Sequence, residues 1–145
     1  MRTDSPIGVL VGVTSAFDNA DTRTVIRQTW GKTCNNAPWC SLAFIVGTSH
    51  DQHGQHRLQK ESAAFGDILQ EPFYDSYNNL TLKSIYLLKH FVKQRPRLKY
   101  LLKVDDDCFV FLGERAVIYN VAELTQLLKR RKRQPLPQKV SILFS

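Results

Sequence analysis

The stretch that most constrains this chain is KYLLKVDDDCFV, Lys99 to Val110. Tyr100, Leu101, Leu102 and Val104 form an apolar run of the length of a buried strand. The run ends in three adjacent carboxylates, Asp105, Asp106 and Asp107. In an extended chain alternate side chains share a face, which predicts Asp105 and Asp107 on one side and Asp106 on the other. Three acids at the end of a buried strand repel one another and resist desolvation. Either a positive partner compensates them or they lie in a solvated acidic turn. A hard divalent cation with oxygen ligands is the simplest such partner.

The rest of the sequence alternates strand-like and helix-like segments. Ile7 to Ser15 reads as a buried strand. Thr22 to Trp30 reads as a helix with Val25, Ile26 and Trp30 inward and Gly31 as its stop. Ser41 to Ser49 is a second strand, Gln55 to Phe65 a helix punctuated by Gly66, and Asp67 to Phe73 a strand ended near Pro72. Tyr77 to Gln94 carries the strongest helical period. Leu80, Ile85, Leu87, Leu88, Phe91 and Val92 fall on one side, and Asn79, Lys83, His90 and Lys93 on the other. The alternation predicts an α/β fold with a mostly parallel sheet and helices on both faces. Right-handed crossovers then bring Thr14, Ser15, Thr48 and the three aspartates to one edge, where open α/β sheets bind ligands. Phe111 to Tyr119 has no clear period. Val121 to Arg131 suggests a further helix, and Val140 to Phe144 a strand-like stub.

Composition narrows the function classes. The 145 residues suit one domain, and 43% hydrophobic with 23% charged residues argues against disorder. Net charge is +7, but Lys129, Arg130, Arg131, Lys132 and Arg133 supply five of those charges. That run is the basis of an alternative reading as a nucleic-acid-binding module. It lacks interleaved aromatics and follows a predicted helix whose C-terminal dipole favours cations, so a solvated face is the default and no nucleic-acid partner is expected. A metal-dependent phosphotransferase or phosphatase ranks lowest, because no other predicted strand end offers comparable acids. The apolar run Ile7 to Val13 is far short of a membrane span and no leader pattern precedes it, so any anchor or signal is expected outside this sequence. Cys34 and Cys40 are spaced either to close a small disulfide loop or to remain free, with Cys108 left over.

Five blocks in one order, TRTVIRQTWG, FIVGTS, ESAAFGDILQ, YDSYNNLTLKS and KYLLKVDDDCFV, resemble the N-terminal half of the β-1,3-galactosyltransferase and β-1,3-N-acetylglucosaminyltransferase family (glycosyltransferase family 31, with its Fringe branch). The resemblance covers about residues 7–110, while 111–145 diverge, so the chain is expected to be a single partial domain. It implies a GT-A-type nucleotide-sugar-binding fold, a UDP-sugar donor and a glycan acceptor. It also implies a divalent cation (manganese or else magnesium) and a Golgi membrane protein with a lumenal catalytic domain. By the same resemblance Asp107 takes the metal, while Asp106 and Asp105 sit against the donor's ribose and sugar. Arg23 and Arg27, in the block matching the family's first helix, are candidates to meet the nucleotide or its phosphates. Lys83 is a third, and for each a structural or solvated cation is the alternative. Asn79-Leu80-Thr81 is a glycosylation sequon. The segment that carries the family's acidic base and metal-completing histidine has no counterpart here. No catalytic base is therefore assigned, and the chain alone is expected not to transfer sugar.

Overall fold

The computed structural model describes residues 8–74, 80–93, 98–112 and 116–120. Four strands, β1 (Val9–Thr14), β2 (Cys40–Thr48), β3 (Ile68–Tyr74) and β4 (Tyr100–Asp105), form one parallel sheet in the order β3-β2-β1-β4. β1, β2 and β4 are rich in Val, Leu, Ile or Phe because both of their faces are covered. On one face, Val11, Val13, Leu42, Phe44, Val46, Leu102 and Val104 pack against α1 (Ala20–Gln28), α2 (Trp30–Asn35) and α3 (Gln52–Phe65) through Ile26, Trp30, Cys34 and Leu58. On the other, Leu10, Ala43, Ile45 and Leu101 pack against Leu87 and Phe91 of α4 (Leu80–Lys93). The expected parallel α/β architecture with helices on both faces is therefore present.

The strand order explains the split of helices. The chain winds from β1 through β2 to β3 in one direction, then returns past β1 to add β4 on its other side. Right-handed crossovers of opposite direction put their helices on opposite faces. The reversal falls between β1 and β4, whose registers run Val13 opposite Val104 and Thr14 opposite Asp105.

Several local expectations are corrected. Gly31 does not stop the first helix; it lies inside α2, where an added Cβ would come 2.6 Å from the Ile26 carbonyl oxygen. Val25 is exposed while Ile26 and Trp30 are buried. In α4 the buried line is Lys83, Leu87 and Phe91, and Ile85 and Val92, predicted inward, face out. Pro72 lies within β3 rather than ending it, in an edge strand whose register with β2 shifts between Val46 and Thr48. Gly66 does close α3, with φ of 67° where a left-handed cap needs glycine. Asp51 opens the same helix by accepting from the His53 and Gly54 amides. Beyond the sheet, β5 (Cys108–Leu112) and β6 (Ala116–Asn120) pair antiparallel as a hairpin where no period had been evident. Gly12 of β1 faces α4 so closely that any Cβ there would overlap the Leu87 side chain. The stretches suggested as Val121 to Arg131 and Val140 to Phe144 lie outside the described residues.

Candidate functional site

The three carboxylates leave β4 together but are held differently. Asp105 closes the strand and accepts a hydrogen bond from Thr14 Oγ1 at 2.6 Å. The chain then turns over Asp106 and Asp107, so the two-residue alternation expected for the acids stops at Asp105. Asp106 Oδ2 accepts from Ser15 Oγ and from Asn19 Nδ2, each at 2.9 Å, and its backbone amide donates to the Thr14 carbonyl at 3.2 Å. Asn19 occupies the N-cap of α1 yet makes no side-chain capping bond; its amide is given to Asp106 instead. Asp107 stands exposed, and Cys108 Sγ donates to its Oδ1 at 3.7 Å. All of this lies at the carboxyl ends of β1 and β4, where the winding reverses, which is where open α/β sheets admit ligands.

Behind this rim the loop after β1 is gripped from both faces of the sheet. Lys83 Nζ, from α4, donates to the Ser15 carbonyl at 3.1 Å. Arg23, from α1, donates to Ser15 Oγ at 3.1 Å, the Ala16 carbonyl at 2.5 Å and the Phe17 carbonyl at 3.1 Å. Three successive carbonyls are thus held by two buried cations. The remaining Arg23 protons go to Glu61, with Nε and Nη2 at 2.7 and 2.8 Å. Arg27 adds an ion pair to Glu61 at 2.9 Å, pairs with Asp67 through Nε and Nη2 at 2.8 and 2.7 Å, and lies over the Phe44 and Phe65 rings. Burial alone would raise the Glu61 pKa. Hydrogen bonds from Arg23 and Arg27, with their charges, outweigh it and hold the carboxyl below its usual range. Burial likewise works to lower the Arg27 pKa, and its bonds to Asp67 and Glu61 overturn that and raise it.

These placements revise what three candidate residues offer. Arg23 has no exposed surface and Arg27 almost none; Arg23 holds the loop from behind, and Arg27 reaches it only through Glu61. Lys83, expected on a polar helix face, is buried with its ammonium on Ser15. The structure therefore brings Asp105, Asp106, Arg23 and Lys83 into one connected network through Thr14 and Ser15, with Asp107 at its open edge and Arg27 joined through Glu61. Asn19, Glu61 and Asp67 were not singled out for the site by the sequence. Thr48 lies on the same sheet edge but lines a separate open cleft of about 450 Å³ with Gln55, Gln70, Glu71, Pro72 and Tyr86.

Cys34 and Cys40 form a disulfide that ties α2 to the start of β2. Cys108 is free, and burial, followed by the charges of Asp107 and Asp105, pushes its thiol up to about 11, so it is neutral at physiological pH. Trp30 Nε1 donates to the Cys108 carbonyl at 3.2 Å. Among the described residues no group of three or more His, Cys, Asp or Glu is placed to hold a metal ion, and no helix is long and apolar enough to cross a membrane. Asn79 and Lys129 to Arg133 lie outside the described residues.

A parallel α/β sheet that presents carboxylates and hydroxyls at its switch point is of the doubly wound kind, in which ligands bind at that point. The particular lineage follows from comparison: residues 21–143 match the galactosyltransferase family model, and the chain belongs to that family. It is similar to the rat UDP-GlcNAc:betaGal beta-1,3-N-acetylglucosaminyltransferase 7, 41% identical over 110 residues, which is 70% of this chain and 28% of that protein. It is also similar to human beta-1,3-galactosyltransferase 4, 39% identical over 76% of this chain and 31% of the relative. Human beta-1,3-galactosyltransferase 5 is 33% identical over 91% of the chain and 40% of its own length. The chain thus spans less than half the length of these curated relatives.

Proposed function

We propose that this chain carries the donor side of a UDP-sugar-dependent hexosyltransferase that moves galactose or N-acetylglucosamine to a glycan hydroxyl with inversion. The observation that carries this reading is the placement of Asp105, Asp106 and Asp107 at the carboxyl ends of β1 and β4, two of them fixed by Thr14, Ser15 and Asn19. The names of the relatives supply the donor chemistry, since one acts on UDP-GlcNAc and others are galactosyltransferases. Asp107 is the protein ligand for manganese or magnesium. One exposed carboxylate completed by diphosphate oxygens and water is how such hard cations are commonly held at phosphate sites. When bound, the cation stabilises the negative charge that develops on the departing UDP. Asp106, its Oδ2 occupied by two donors, keeps Oδ1 for the donor's ribose, and Asp105 faces the sugar. The buried cations Arg23 and Lys83 keep the loop that orients Asp106 from moving.

The disulfide accords with an oxidising lumen such as the Golgi, and in that compartment Asn79 is a glycan acceptor. The test is calorimetric titration of UDP into the protein with manganese and with EDTA. Manganese-dependent binding that is lost in Asp107→Ala supports the assignment. Binding that ignores both manganese and the substitution overturns it.

A further inference from the structure

We propose that Trp30 is a positioning residue for the acidic turn, acting through the carbonyl of the residue that follows Asp107. This inference rests on the reading of Asp107 as the cation's protein ligand. Trp30 is 4% exposed and sits at the first position of α2, with its indole N–H on the Cys108 carbonyl at 3.2 Å. That carbonyl begins β5, so the hydrogen bond fixes the exit of the turn whose entry is fixed by Thr14 on Asp105 and by Ser15 and Asn19 on Asp106. Asp107 itself has no comparable bond among the described residues beyond the weak thiol donor of Cys108. Its carboxylate is therefore placed by the backbone on either side of it, and Trp30 holds the far side.

The anchor is itself well founded. Cys34 lies one helical turn beyond Trp30, is fully buried, and is bonded to Cys40 at the start of β2. Trp30 packs in the same core as Val110 and Leu102, so the indole cannot shift without disturbing the sheet. A hydrogen bond from a ring held this firmly transmits the position of the sheet to a turn that is otherwise exposed. Groups that orient a metal ligand change metal affinity by about 10- to 100-fold when removed, although they touch no metal.

The experiment compares wild type with Trp30→Phe, reading the manganese concentration needed for half-maximal UDP binding, together with the thermal midpoint in EDTA. A parallel sample replaces the indole by benzothienylalanine in a Trp39→Phe background, with sulfur in place of the N–H, which preserves the ring's shape if phenylalanine perturbs the core. The expected result is a manganese requirement raised about 10-fold in the benzothienyl protein, with the thermal midpoint little changed. A lowered midpoint with an unchanged manganese requirement overturns the proposal and leaves Trp30 a core residue. Wild-type protein whose UDP binding ignores manganese overturns the metal reading itself, and this proposal with it.

Discussion

Glu61 receives two guanidinium groups at once, and its removal is the sharpest single-residue lesion available. Glu61→Gln leaves Arg23 buried with its charge uncompensated, which costs roughly 3–5 kcal/mol by the behaviour of broken buried pairs; urea denaturation at pH 7 measures it. The pH dependence has a definite sign. Because the folded carboxyl titrates below its ordinary 4.5, its contribution is complete above that value and fades as pH falls through the lowered folded pKa. The wild type therefore shows an acid-sensitive limb that the glutamine variant lacks. The same residues show how far the sequence could be read. Arg23, Ile26, Arg27 and Trp30 follow the spacing of a buried helical stripe, so the two arginines occupied positions where an apolar residue is ordinary. They were singled out only through the block matching the family's first helix, which did not reveal their partners, because Glu61 and Asp67 lie about forty residues away. Asn19 serves Asp106 through a loop geometry that no local pattern encodes.

At the scale of the element, α2 is the most dependent segment. Six residues are too few for a helix to persist alone, so its stability comes from the core and from the disulfide. Replacing Cys34 and Cys40 together by serine is expected to cost about 2 kcal/mol for so short a loop, with the same loss on reduction of the wild type. Equal denaturation midpoints in oxidised and reduced protein would contradict this. The third and fourth helices and the central strands were readable because their periods are long and, at Gly66, the cap is conventional, although α3 begins at Gln52 under the Asp51 cap rather than at Gln55. Two elements were misread for physical reasons. In α4 apolar residues outnumber what one face can hold, so the stripe could be drawn two ways, and the contact with Ser15 chose the one containing Lys83. The β5–β6 hairpin alternates weakly, with Phe111 exposed, and its pairing is set by the partner strand rather than by its own pattern.

For the molecule as a whole, the alternation of strands and helices foretold the layers and the edge to which Thr14, Ser15 and the three aspartates come. The strand order was not in the sequence; it emerges from the crossovers and places β1 at the centre with the reversal at its side. That centre contains Gly12, where a Cβ would run into the Leu87 side chain of α4. Leu87 and Lys83 are one turn apart on the same helix face, so a methyl group at Gly12 pushes out the helix that carries the ammonium to Ser15. Gly12→Ala is expected to destabilise by about 1–3 kcal/mol and to weaken UDP binding more than Phe91→Leu, a core lesion farther along α4. The absent side chain works as a shim of zero thickness: the rim is adjusted from the interior, and a single carbon atom deep in the sheet is enough to put the acidic turn out of true.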